Sequence, residues 1–186
     1  MRYTLICLVI LFSSCKEKQA IPVAHSHFSK AEMINLEQLV GYFESKICPS
    51  VTDRTQCLKS YYKEISDRPD LGKTNLNAKL NPVELFATID RPLTNKIWFP
   101  YRTQSADGKS KVSRNLSARG AYMNYLHQLA AFNPDLFLNY SNTLHESGNL
   151  SVTMAKEVRE NIELLDLENF DHRLFLTIHF LTISQK

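Results

Sequence analysis

The sequence contains little that indicates catalysis or a bound cofactor. It has only five glycines among 186 residues, and none of them belongs to a glycine-rich phosphate-binding loop. The zinc-protease motif H-E-x-x-H and the nucleophile motif G-x-S-x-G are both absent. The formal net charge of +3 is too small for a general nucleic-acid binder. The sequence therefore predicts no cofactor, no metal ion and no nucleic-acid partner.

The composition is nevertheless that of a globular protein. Apolar residues make up 44% of the chain, which excludes a mainly disordered protein. There is no internal repeat and no low-complexity tract. A chain of 186 residues is long enough for one domain with a sizeable core.

The first fourteen residues have the organisation of an export signal. Arg2 supplies a positive charge, and an apolar run then extends from Tyr3 to Phe12. The run is too short to cross a bilayer, because a spanning helix needs roughly 20 apolar residues. We therefore predict that residues 1–14 are a cleaved signal peptide.

The apolar run ends in Leu11-Phe12-Ser13-Ser14-Cys15. This segment resembles the lipobox of bacterial lipoprotein precursors, although Phe12 stands where leucine is usual. The resemblance implies cleavage just before Cys15 and a diacylglyceryl group on the Cys15 sulfur. Two acyl chains give stable anchoring, because each buried CH₂ contributes about 0.8 kcal/mol. The alternative is an ordinary secretory signal in which Cys15 has no special role.

Residues 15–28 are expected to form the lipidated cysteine and a flexible tether, because they are mostly polar and show no sustained period. His25 and His27 lie in this segment, but two histidines without a nearby cysteine or carboxylate cluster do not make a metal site. The charged stretch 16–18 resembles in part the signals that bring lipoproteins to the cell surface. The sequence leaves the membrane leaflet open.

The cysteine count predicts a disulfide. If Cys7 leaves with the signal and Cys15 is lipidated, Cys48 and Cys57 remain as a pair in an oxidising compartment. Their spacing matches neither C-x-x-C nor a zinc pattern, which leaves a redox or metal pair as the weaker alternative. A bridge between them would join two successive helices and stabilise the fold by about 2–3 kcal/mol.

Helical periodicity runs through most of residues 29–186. Phe170–Ile183 is apolar on most faces, which is typical of a helix in the middle of a bundle. We predict a single all-α domain over 29–186, an orthogonal bundle of six or seven helices. Polar residues that indicate helix starts are Ser29, Asp53, Asn81, Asn133 and Ser151.

One basic segment interrupts the helical pattern. Asp107-Gly108 is a turn signal, and its flanks are expected to pair as a small β-hairpin around 97–116. Residues 63–119 carry eleven Lys/Arg and six Asp/Glu, a charge of +5, whereas residues 120–186 carry four and eight, a charge of −4. Aromatic and arginine residues on a loop are typical of binding hot spots. The candidate partner-binding residues are Trp98, Phe99, Tyr101, Arg102, Lys109, Lys111, Arg114 and Arg119.

This basic segment favours an anionic partner, such as a phosphorylated glycan, lipid head groups or an acidic protein face. The alternative is a solvated loop whose aromatic side chains pack into the bundle.

No catalytic residue is predicted. Glu168 and His172 stand at i, i+4 spacing, which needs no more than a surface hydrogen bond, and a structural role is also expected for His179. We therefore predict a membrane-anchored docking module of the bacterial cell envelope, either an assembly factor or an inhibitor or immunity protein. The alternative is a cell-envelope hydrolase. A concave pocket with convergent titratable groups would favour the hydrolase, and a flat apolar and basic patch would favour docking.

Overall fold

Seven α-helices and one β-hairpin make up most of the part of the chain that the computed structural model describes, which is residues 21–49, 53–66, 80, 85, 86, 89–104, 108 and 110–185. The predicted all-α bundle with one small hairpin is confirmed. The helices are α1 Lys30–Ile47, α2 Arg54–Ser66, α3 Arg91–Ile97, α4 Ala121–Leu129, α5 Pro134–Ser147, α6 Val152–Glu160 and α7 Phe170–Ile183. The strands are β1 Trp98–Gln104 and β2 Ser110–Leu116, and two short 3₁₀ helices span Val23–Ser26 and Ile162–Leu164.

Helix α7 lies at the centre of the bundle. All of its residues except Phe170 and Arg173 are buried, as its apolar composition predicts. Phe175 receives edge-to-face contacts from Phe137 and Tyr140 of α5, each with ring centroids 5.0 Å apart. On another side, Tyr62 of α2 stacks on Phe180 with centroids 4.9 Å apart. Helices from both halves of the chain therefore share α7 as their common core.

Local polar signals set the helix ends, as the sequence indicates. Ser29 and Glu32 form a complete capping box at the start of α1. Asn133 and Ser151 accept backbone hydrogen bonds at the starts of α5 and α6. Gly148 ends α5 with a φ of 67°, a left-handed conformation that favours glycine. The predicted helix start at Asn81 lies outside the described residues.

The predicted disulfide between Cys48 and Cys57 is present, with the two Cα atoms 6.0 Å apart. Cys48 caps the C-terminus of α1, and Cys57 lies in the first turn of α2. The bond therefore joins two helices that both pack close to α7, since Phe43 of α1 and Tyr62 of α2 each stack on Phe180.

The prediction of a flexible tether over 15–28 is wrong for its C-terminal half. Val23, Ala24 and Phe28 are buried in the main core, and the 3₁₀ helix Val23–Ser26 packs on α1 and α4. The start of this short helix is held by the buried carboxylate of Asp171, which accepts hydrogen bonds from the backbone N–H of Val23 (2.6 Å) and of Ala24 (3.0 Å). The folded domain therefore includes residues 23–28, which the sequence assigned to the tether.

The hairpin is attached at the opposite end of α7. The indole Nε1–H of Trp98 donates a hydrogen bond of 2.8 Å to Thr182, and the backbone N–H of Arg114 donates one of 3.0 Å to the Gln185 side chain. Asp171 and Thr182 are eleven residues apart on one helix, a distance of about 16 Å at 1.5 Å per residue. The N-terminal segment and the hairpin thus lie at the two ends of the central helix. No helix in the described residues is long and apolar enough to cross a membrane.

Candidate functional site

The β-hairpin carries most of the predicted partner-binding residues. Its strands pair antiparallel from Trp98↔Leu116 to Gln104↔Ser110. The first pair is buried against the bundle. Farther along the strands Phe99, Arg102 and Val112 are exposed, whereas Ser113 remains buried. The hairpin therefore has a buried base and an outer part that carries exposed side chains.

Trp98 is a core residue and not a surface aromatic, so its prediction as a partner-binding residue is wrong. Its side chain is 1% exposed and meets Phe86 edge to face at 5.0 Å. The hydrogen bond to Thr182 satisfies its indole N–H inside the core. For this one residue, the alternative in which aromatic side chains pack into the bundle is correct.

The outer hairpin presents apolar and basic side chains to solvent. Phe99 is 39% exposed and Val112 is 54% exposed, and Tyr101 is half-buried. Arg102 is exposed and lies directly opposite Val112 in the strand register. Because side chains alternate along a strand, Arg102 and Val112 share one face, and Phe99 and Tyr101 lie on the other. These four residues, two on each face of the hairpin, are together called the hairpin surface.

Two other predicted partner-binding residues, Arg114 and Arg119, lie outside the hairpin surface. The Arg114 guanidinium lies 4.3 Å from the centre of the Phe86 ring, and burial lowers the pKa of Arg114. Arg114 therefore contributes to packing at the base of the hairpin as well as to its charge. Arg119 is exposed on the short loop that follows β2. Lys109 and the side chain of Lys111 lie outside the described residues.

A polar groove of about 540 Å³ opens beside the N-terminal end of α7. Its size would suit a small ligand, so it is the concave alternative to the hairpin surface. The lining residues are Asp53, Arg54, Thr55, Leu58, Leu167, Glu168 and Arg173.

The charged groups of this groove are engaged with one another. The buried Glu44 carboxylate beneath the groove accepts hydrogen bonds from Arg173 (2.9 Å) and Arg54 (3.2 Å), one on each oxygen. The Thr55 hydroxyl donates to Glu168 at 2.5 Å. These contacts join α1, α2 and the start of α7, so the groups serve as structural links rather than as a convergent set of acids and bases.

The predicted surface pair of Glu168 and His172 does not form. His172 is buried, and its Nδ1 accepts a hydrogen bond of 2.9 Å from the backbone N–H of Asp166. Burial lowers the pKa of His172, and the nearby Asp166 and Asp171 oppose that shift. His179 is fully buried, with Nδ1 3.0 Å from the Tyr140 hydroxyl. Both histidines therefore lie in the core.

A second groove of about 450 Å³ lies between α5 and α6. Burial raises the pKa of Glu157 in this groove, and a hydrogen bond from Asn139 opposes the shift. Glu160 is paired with Lys156 across one helical turn at 3.6 Å. In the part of the chain that the structure describes, no group of three or more His, Cys, Asp or Glu side chains is arranged to hold a metal ion.

Comparison with known proteins gives no relative. No protein-family model, no curated protein and no solved structure matches this chain.

The sequence does not predict the contact between Asp171 and the N-terminal segment. Val23 and Ala24 are 148 and 147 residues away from Asp171 along the chain. The only signal in the sequence was an acidic residue in the first turn of the most apolar helix, where burying an unpaired carboxylate would be costly.

Proposed function

We propose that the protein is a lipoprotein of the bacterial cell envelope, held outside the cytoplasm by a diacylglyceryl group on Cys15. The folded domain acts as a docking module, and the hairpin surface binds an envelope partner. The single observation that carries the docking role is the hairpin itself, which presents Phe99, Arg102 and Val112 to solvent beyond the helical core.

The anchoring part is supported by two features of different kinds. The lipobox-like segment that ends in Cys15 directly follows an apolar run of export-signal length. The Cys48–Cys57 disulfide fits an oxidising compartment outside the cytoplasm, because the cytosol keeps most thiols reduced.

The docking role is supported by the contrast between the hairpin surface and the polar groove. The Arg54, Arg173 and Glu44 side chains at the groove are paired with one another in structural ion pairs. No observation specifically favours the hydrolase alternative.

An acidic face on an envelope protein is the partner that fits best. Arg102 and Arg119 are exposed on or beside the hairpin, in the segment that carries a charge of +5. Phe99 and Val112 add apolar contact area, and aromatic residues together with arginine are enriched in protein–protein interfaces. An assembly factor and an inhibitor or immunity protein are equally compatible with such a partner.

Mass spectrometry of the membrane fraction tests the anchoring. A mature chain that begins at a diacylglyceryl-modified Cys15 is expected, and Cys15→Ser should release the protein from the membrane fraction. An unmodified Cys15, or a mature N-terminus at another residue, would contradict the proposal.

Photo-crosslinking in cells tests the docking. A photoreactive phenylalanine analogue is placed at Val112 and, as a matched control, at Val152, an equally apolar residue that is 83% exposed on α6. One discrete protein adduct is expected from position 112 and not from 152. The same adduct pattern from both positions would contradict a specific surface.

Charge reversal then tests the chemistry of the partner. Arg102→Glu in the Val112 crosslinking background should reduce the adduct at least about tenfold, a change of about 1.4 kcal/mol, and added salt should weaken it in the same way. The control is Lys59→Glu, an exposed cation on α2. Equal losses from the two reversals would point to net charge rather than to the hairpin.

A further inference from the structure

We propose that the N-terminal end of α7 faces the lipid surface, with Ile21 and Phe132 in contact with it, and that the hairpin faces away from the membrane. This orientation rests on the proposed lipidation of Cys15. It adds to that function a second interaction surface, whose partner is the bilayer itself.

The chain leaves the domain from a fixed point. Asp171 holds the backbone of Val23 and Ala24, and the Tyr125 hydroxyl donates a hydrogen bond of 2.8 Å to the Asp171 carbonyl oxygen. Phe28 packs on Tyr125 with ring centroids 6.0 Å apart. Residues 23–28 are therefore fixed on the folded domain through Val23, Ala24 and Phe28, and they do not lengthen the tether.

Only a short length of chain lies between Cys15 and this fixed point. From Cys15 to Pro22 the chain has seven residue steps, which reach at most about 25 Å when fully extended. A tether of fourteen residues would reach about twice as far. The domain is therefore held with the end that contains Pro22 towards the lipid.

Exposed apolar side chains lie around this exit point. Ile21 is 81% exposed and immediately precedes the fixed segment. His27 and Gln128 join the segment to the end of α4 through a hydrogen bond of 2.6 Å. Phe132, which is 62% exposed, follows in the turn directly after that helix end. A bilayer interface would cover both apolar side chains, since Phe and Leu-type side chains are favoured at that depth.

The hairpin lies far from this exit point. It is attached to Thr182 and Gln185, at the end of α7 that lies opposite Asp171. A domain with its Asp171 end on the lipid therefore presents the hairpin surface to partners in the aqueous space.

Site-specific fluorescence tests this orientation on the full-length protein purified from membranes. Phe132→Cys and, as the matched control, Val112→Cys are each labelled with an environment-sensitive fluorophore. Each protein is placed in vesicles of phosphatidylethanolamine and phosphatidylglycerol that carry a lipid-borne quencher. Mass spectrometry first verifies the lipid on Cys15.

We expect the lipid-borne quencher to reduce the emission at position 132 at least about twofold more than at position 112, with the reverse order for aqueous iodide. Equal quenching at the two positions, or stronger lipid quenching at 112, would overturn the orientation and leave the anchoring intact. Protein without lipid on Cys15 would overturn the proposed function and this orientation together.

Asp171→Asn provides a second measurement. The amide can accept only one of the two backbone hydrogen bonds, so the segment should loosen and the contrast between positions 132 and 112 should shrink. Asp135→Asn, at an exposed position in the first turn of α5, is the control and should leave the contrast unchanged. An undiminished contrast in folded Asp171→Asn protein would mean that the contact does not set the orientation. If Asp171→Asn does not fold, the comparison of the two labels in the otherwise native chain still decides.

Discussion

The two ends of helix α7 are attached to the rest of the molecule by different chemistry. At the N-terminal end, three consecutive side chains bind three different segments: Asp171 binds the N-terminal segment, His172 the Asp166 backbone, and Arg173 the Glu44 carboxylate. At the C-terminal end, the hydrogen bonds are made by neutral groups, the Trp98 indole and the side chain of Gln185.

This difference predicts different sensitivities. Burial lowers the pKa of His172, so the N-terminal end should be the part of the fold whose stability changes in mild acid. The hairpin end depends on packing and on neutral hydrogen bonds, so it should respond to changes in volume and little to pH.

The largest effect is expected from Trp98→Ala at the hairpin end. Removing a fully buried tryptophan should lower the free energy of unfolding by about 3–5 kcal/mol, measured by chemical denaturation. The control is Phe99→Ala, the next residue along β1, whose partly exposed ring should cost much less. Similar losses from the two variants would show that the base of the hairpin is not packed as described.

Asp171→Ala should have the next largest effect, at the other end of α7. It removes two hydrogen bonds to a carboxylate and leaves two backbone N–H groups without their acceptor, so we expect a loss of about 2–4 kcal/mol in the free energy of unfolding. Hydrogen exchange should show the lost protection at Val23 and Ala24. A variant as stable as the native chain would contradict a role for this contact in closing the fold.

Loss of the disulfide should come third. The double variant Cys48→Ala, Cys57→Ala opens a link with a sequence separation of nine, which should lower the free energy of unfolding by about 2–3 kcal/mol. A reducing agent should destabilise the native chain by a similar amount and leave the double variant unaffected. Any effect of the reductant on the double variant would rule out this disulfide as its target.

The smallest effect is a change in pH dependence from His172→Asn. The pKa of His172 is lowered by burial below the unfolded value of 6.5, so the unfolded state binds more protons between these two values. The free energy of unfolding should therefore fall as the pH drops through about 6.5 and stop falling below the folded pKa. Asparagine can still accept the Asp166 hydrogen bond but cannot titrate, so this component should disappear.

The matched control for that prediction is His127→Asn, because His127 is exposed on α4. The fall in the free energy of unfolding that is assigned to His172 should remain in this variant. If both variants changed the profile equally, His172 would not be the group responsible.

Local signals carried most of what could be predicted of the fold. The capping box at Ser29, the cap at Asn133 and the all-round apolar composition of Phe170–Ile183 each depend on residues a few positions apart. The disulfide also joins near neighbours in the chain, and its formation could be inferred from the cysteine count.

Long-range contacts account for what could not be predicted. The segment around Val23 and Phe28 has too few apolar residues to show a period, and the Asp171 carboxylate that fixes it lies 148 residues from Val23. The burial of Trp98 is decided by how the hairpin docks on Thr182, and strand alternation alone does not say which face meets the bundle. Trp98 therefore lies in the core, although the sequence predicted it as a partner-binding residue on the surface.

The same Asp171 contact sets an order of events for the new chain. Val23 and Ala24 are made before their binding partner on α7, because Asp171 comes 148 and 147 residues later in the chain. Until α7 has been made, the backbone N–H groups of Val23 and Ala24 lack the carboxylate that accepts their hydrogen bonds. A nascent chain can therefore complete this part of its core only after helices α1 to α6 have been synthesised.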